Sequence, residues 1–343
     1  MNNAITLRAW ELNETDFDAR ASLEQQLRFA LQYAILAPSN HNTQPWRFIV
    51  DGSTVQVCAD RTRALPVVDP FDRELLISCG AAVLNLRVAL SYFGLSYAIT
   101  VFPSEFDPDI VVQLRVSRDG HLDAELATLF SALTTRVTTR APFANEPVDP
   151  QLQTELVAAC DAEGAIATCV DAETARQAIA QLIAEADSAQ FADARFRREL
   201  ASWIHSSRRN DGMPAYGAAV GGLLDIAAPL VTSVVRVFDV GVGAPATHQR
   251  LVEGSPLFVG IATVRDDREA WLATGQALER MLLLAASRGV TASYLNQPIE
   301  VTSLREALAA LLNIDAIPQL LLRMGRGPHV DHSPRRSLST ILD

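Results

Sequence analysis

A chain of 343 residues, 49% hydrophobic and 20% charged, can bury a sizeable core and lies outside the composition of disordered proteins. Its formal charge of −11 leaves no general basic surface for nucleic acid or an anionic membrane. The polar, acidic start M-N-N-A-I-T-L-R-A-W-E-L-N-E-T-D is no secretory signal, and Cys58, Cys79, Cys160 and Cys169 form no C-x-x-C pair, so a cytoplasmic protein without a disulfide framework or zinc site is expected.

The first predicted element is a long helix from Ser22 to Leu36. It runs into Ala37-Pro-Ser-Asn-His-Asn-Thr-Gln-Pro-Trp46, followed by the strand R-F-I-V. So many hydrogen-bonding side chains between two prolines, wedged between an apolar helix and a strand, read as a stiff loop that contacts a ligand. The stretch from Gly80 to Gly94 has apolar residues at helical spacing and ends on a glycine suited to the position just past a helix. A strand-like run ending at Pro103 follows, and then a second strand, I-V-V-Q-L-R-V, after Pro108.

A helix over Pro150 to Ala162 opens the second half, and Gly275 to Gly289 repeats the pattern of Gly80 to Gly94 at the same length. Again a strand-like run ends in proline, Pro298, and another strand, Q-L-L-L-R-M, follows Pro318. The second copy carries an extra helical stretch from Thr302 to Asn313. Each half thus reads helix, strand, helix, strand, strand: an α+β fold of two diverged, pseudo-symmetric copies, 1–125 and 126–343. Residues from about Arg195 to Leu257 have no counterpart in the first half and read as a lid-like insertion. Within it, Gly217 to Val235 is nearly all apolar, but Asp225 and Pro229 favour a buried or lid-forming segment over a membrane span.

Two weaker signals are set aside. Gly241-Val-Gly-Ala-Pro-Ala246 outlines a dinucleotide fingerprint, yet Pro245 interrupts it and the room for a crossover helix is short. His329, Asp331 and His332 lack a convincing further ligand for a metal.

The string A-P-S-N-H-N-T-Q-P-W-R-F resembles the signature of the FMN-dependent nitroreductase superfamily, and the chain is most similar within it to the Acg family, which fuses two nitroreductase-like units. E-L-A-S-W, D-G-M-P and the C-terminal P-Q-L-L-L-R-M-G-R-G-P…S-P-R-R extend the resemblance over nearly the whole chain. It implies a nitroreductase-like fold and one FMN held by groups from both halves. The superfamily's phosphate-side pattern R-x-[ST]-x-R occurs once, as Arg136-Val-Thr-Thr-Arg140, and the polar loop occurs only in the first half. The corresponding first-half slots hold Leu7, Ala9 and Glu11, with Arg8 one residue out of register. Pairing the one loop with the one arginine motif gives a single complete site and a monomer that mimics a nitroreductase dimer.

The resemblance places Pro38, Ser39, Asn40, His41, Asn42 and Gln44 against the flavin, and Arg136, Thr138 and Arg140 on its phosphate side, aided by Ser333, Arg335 and Arg336. Guanidinium groups suit a phosphate through charge-assisted, bidentate hydrogen bonds. The implied activity is reduction of FMN by NAD(P)H and then of a nitroaromatic, quinone or similar small-molecule acceptor, with no side-chain acid or base required. The alternative is a protein that binds and sequesters FMN under an occluding lid, with little turnover.

Overall fold

A computed structural model describes residues 8–205, 209–214, 252 and 254–343. Helix α1, Leu23–Ala34, begins at Ser22, whose side chain accepts from Gln25 N–H while the Gln25 side chain reaches back to the Ser22 N–H. Strands β1, Trp46–Asp51, and β2, Thr54–Ala59, follow as a hairpin turning on Gly52 at φ 56°. Helix α2, Arg73–Tyr92, leads to β3, Ser96–Val101, and β4, Ile110–Ser117. The second half runs α3, Pro150–Asp161; β5, Ile166–Val170; α4, Glu173–Ala192; α5, Ala194–Ser202; and the short strands β6, Ile204–His205, and β7, Met213–Pro214. Then come β8, Leu257–Thr263; α6, Arg268–Ser287; β9, Thr291–Tyr294; α7, Arg305–Leu312; and β10, Ile317–Gly325. Helices and antiparallel sheets mix in an α+β fold.

The two four-stranded sheets have the same connectivity. The first is ordered β1-β2-β4-β3 and the second β5-β8-β10-β9, every neighbouring pair antiparallel. Each half therefore has two strands before its long helix, where the sequence pattern suggested one. The strand missed in the first half is β2, whose short T-V-Q-V-C-A run is bounded by no proline. The connection from β5 to β8 takes in α4 as well as α5, so it opens before Arg195, where the pattern first loses its counterpart. The apolar stretch 217–235, the Gly241–Ala246 segment and most of the expected lid lie outside the described residues.

Helices α2 and α6 cross face to face between the sheets. A Cβ on Gly80 would lie 2.2 Å from Leu272 O, and one on Gly275 would lie 1.9 Å from Ile77 O. In each case the obstacle is the carbonyl three residues before the opposing glycine, so the contact is isologous within one chain. Both helices also end alike. Gly94 (φ 74°) and Gly289 (φ 71°) take left-handed backbone, and Leu95 N–H→Leu90 O and Val290 N–H→Ala285 O close matching Schellman turns at 2.9 Å. Apolar side chains of α6 enter the first core (Leu272, Leu283), while Ile77 of α2 enters the second, so the halves share their cores. Among the described residues α2 alone is long and apolar enough to cross a membrane, and it is buried in this packing.

The end of the chain returns to the first sheet. Phe48 N–H donates to Ile341 O at 2.8 Å and Asp343 N–H to Phe48 O at 2.9 Å, while the Asp343 carboxylate meets Arg47 at 2.6 Å. These residues lie against the free edge of β1, just after the polar loop.

Candidate functional site

The loop from Pro38 to Trp46 is held in strained backbone. His41, Asn42 and Gln44 adopt φ of 49°, 54° and 51°, in the left-handed region that most side chains avoid. Such strain persists where surroundings over-determine it, commonly at ligand sites. Here the surroundings are hydrogen bonds. Ser39 Oγ accepts from Gln44 N–H at 2.9 Å. The fully buried Gln44 side chain donates to Asn210 O at 2.9 Å and accepts from Arg336 N–H at 2.8 Å. Asn42 Nδ2 donates to Pro334 O (3.0 Å) and Gly212 O (3.1 Å). Asn42 and Gln44 thus brace the loop from within, Pro38 is buried behind it, and Ser39, Asn40 and His41 remain partly accessible.

Two clusters of cations meet this loop. In the first, Arg136 NH2 and Arg335 NH2 both donate to Leu36 O, at 3.2 and 2.9 Å, and Arg335 NH1 donates to Asn42 Oδ1 at 3.1 Å. Both guanidiniums are at least 95% buried. Arg136 has one carboxylate beside it, Glu279, at 3.3 Å; Arg335 has no ion pair among the described residues and lies over Trp10, 4.9 Å from its ring centroid. The Nε of each arginine is sealed from solvent without a hydrogen bond, that of Arg136 facing Glu279 Oε1 at the 3.3 Å of the ion pair. Burial, followed by repulsion from Arg136, lowers the Arg335 pKa to about 9. Burial raises Glu279 to about 7 against the pull of Arg136 and Arg335. With its amide turned to satisfy both neighbours, Asn85 of α2 donates to Glu279 Oε1 at 2.9 Å and accepts from Ala37 N–H at 3.1 Å.

The second cluster lies at the other end of the arginine motif. Arg140 is exposed, and the protein around it lowers its pKa by desolvation. Its NH2 approaches Met213 Sδ at 3.2 Å. Arg323 of β10, buried and without an ion pair among the described residues, donates to the carbonyls flanking Arg140, those of Thr139 (3.4 Å) and Ala141 (3.0 Å), and stacks on Phe143. Thr138 is exposed, where its segment bridges to Ala292 beside β9.

The structure therefore brings the first-half loop together with Arg136, Arg335 and Arg336 from the second half. Arg336 donates to Gln44 O at 3.2 Å and lies 3.5 Å from Asp60; Ser333 supplies its carbonyl to Trp10 Nε1–H at 2.9 Å. Arg8, the out-of-register residue, is exposed. His332 stacks on Trp10 at 3.9 Å, and no His/Cys/Asp/Glu group among the described residues could hold a metal. Sequence reasoning missed Arg323, Glu279 and Asn85, all buried polar residues set in otherwise apolar elements. The charge pair Glu279-Arg280 inside A-L-E-R-M-L-L-L was the one available signal. Chemically, a strained polar loop meeting buried guanidiniums, of which Arg335 has no ion pair among the described residues, suits an anionic ligand with a polar body.

Comparison with known proteins places the chain in a family. Residues 133–326 match the model of the Nitroreductase family. The chain is 28% identical, over 90% of its length and 91% of the relative's, to the Mycobacterium tuberculosis protein named "Putative NAD(P)H nitroreductase acg". It is 25% identical, over 94% of both chains, to the Serratia sp. protein named "Probable NAD(P)H nitroreductase PigM". Among solved structures, the FMN-dependent nitroreductase NfnB of Mycobacterium smegmatis, in complex with NADPH, overlays with a TM-score of 0.40 at 14% identity, covering 63% of this chain and 97% of its own.

Proposed function

Because the chain belongs to the nitroreductase family, we propose that it binds one FMN between its two halves and uses NAD(P)H to reduce a nitroaromatic, quinone or similar acceptor. The observation that carries the cofactor is the buried Arg335 guanidinium, whose Nε lacks a hydrogen bond and which has no ion pair among the described residues, set beside Arg136 on the same carbonyl. A phosphate would supply the counter-charge that Arg335 lacks, and with Glu279 as the opposing carboxylate the group keeps a net positive charge. Arg136 and Arg335 would hold the phosphate end. Ser39, in the accessible part of the loop, would meet the ribityl chain or ring edge, with Asn40 and His41 beside it and Arg140 near enough to act on His41. Bound FMN supplies the redox chemistry, taking two electrons from a nicotinamide and returning them to an acceptor. The chain's own part is positional: the strained loop is prebuilt, so little ordering is left for the moment of binding.

We read the shared sheet order and the isologous helix crossing as two diverged copies in one chain, internalising what would otherwise be a dimer interface. The purified protein, titrated anaerobically with NADPH, is expected to carry flavin absorbance that bleaches and returns when a quinone is added. A colourless protein that takes up no FMN overturns the cofactor assignment. Flavin that stays unbleached turns the reading to the sequestering alternative.

A further inference from the structure

Asn40 stands between two groups that dictate its orientation. Its Nδ2 donates to Glu74 Oε2, and its Oδ1 lies 2.6 Å from His41 Nδ1. Glu74, in the first turn of α2, receives Arg73 NH2 on its other oxygen at 2.6 Å; burial and then the Glu300 charge raise its pKa, the Arg73 guanidinium opposes them, and as the ion-pair partner of Arg73 it is a carboxylate. A carboxylate only accepts; Asn40 must therefore turn its NH2 toward Glu74 and its carbonyl toward His41. That carbonyl also only accepts, so the proton of the ring resides on Nδ1 and Nε2 carries a lone pair. Nε2 has no hydrogen-bond partner among the described residues and is not among the sealed polar atoms. The ring is half-buried in the strained loop. Surrounding protein, and then the Arg140 charge, hold the imidazole neutral, with a pKa near 3.

We propose that Glu74, acting through Asn40, fixes His41 in the Nδ1–H tautomer, so that His41 Nε2 selects substrates offering an N–H or O–H at the cleft. Glu74 and Asn40 are positioning residues, and His41 is the one that touches the substrate. The substrate half of this proposal rests on the oxidoreductase reading; the tautomer half does not.

The test is a multiple-bond proton–nitrogen spectrum of the full-length protein carrying ¹⁵N-labelled histidine, with His41 assigned by its disappearance in His41→Phe. The expected pattern has a protonated, pyrrole-type Nδ1 and a bare, pyridine-type Nε2. Asn40→Leu should return the ring to the Nε2–H form usual for free histidine, and Asn40→Asp, which would share a proton with Glu74 and still present an acceptor oxygen to the ring, should restore Nδ1–H. A wild-type His41 protonated on Nε2, or one indifferent to Asn40→Leu, overturns the relay. For selection, the rate with 3-nitrobenzyl alcohol relative to its methyl ether should fall about two- to tenfold in His41→Phe, the size of one lost neutral hydrogen bond. An unchanged ratio overturns it. Flavin content measured on each variant keeps the two readings apart: a protein that never holds flavin sinks the oxidoreductase reading while the tautomer is still read.

Discussion

At Leu36 O two buried guanidiniums share one carbonyl, and only one of them has a carboxylate beside it. Arginine suits such a place: the chain has no lysine, and a planar guanidinium can donate to a carbonyl and a phosphate at once. Removing one partner of a desolvated charge pair costs about 2–5 kcal/mol. Arg136→Ala and Arg335→Ala are therefore each expected to weaken FMN binding by tens- to thousandfold, measured by fluorescence titration of the flavin-free protein. Arg8→Ala, at an exposed side chain, should leave affinity unchanged; a comparable loss there would move the phosphate elsewhere. The loop was legible in sequence because it is a dense polar run against apolar neighbours, and the arginine motif because it matches the pattern of the family the chain resembles. Arg323 and Glu279 were not, since a single charge inside a buried strand or helix discloses its role only when the facing elements are in place.

At the scale of elements, the crossing of α2 and α6 tolerates no side chain at its centre. Gly80→Ala drives a Cβ against the carbonyl of Leu272, which cannot step aside without moving the helix. Overpacking of this kind costs about 1–3 kcal/mol and more where backbone is the obstacle. Thermal unfolding is expected to show a Tm several degrees lower, with Gly275→Ala behaving alike. Gly94→Ala meets open space and has only its left-handed backbone to strain, so its loss should stay near 1 kcal/mol. Equal effects at Gly80 and Gly94 would argue that the crossing is loose. The sequence aligned Gly80 with Gly275 by their offsets to downstream turns, but repetition along a chain does not reveal that the paired positions touch. The added strand of each half and the reach of the β5–β8 connection escaped for a different reason. Short strands such as β2 carry too little alternation to stand out, and α4 has an amphipathic face that fits several partners.

For the whole molecule, one loop and one arginine cluster are shared between two sheets of the same order, so a single flavin per chain is expected, in a protein that stays monomeric. Acid-released FMN quantified against protein, with light scattering for mass, checks both; two flavins per chain would refute the one-site reading, and an obligate dimer the other. The closing of β1 by residues 341–343 also sets a timetable for synthesis. That strand's outer edge leaves the ribosome well ahead of its partner, which is synthesised about 290 residues later. With those residues added at roughly 5–20 per second, the edge stands open on the order of 15–60 s. An unpaired edge is a template for the wrong strand, so the nascent first half is most exposed to misassociation during translation itself, and a stalled or C-terminally truncated chain would remain in that condition.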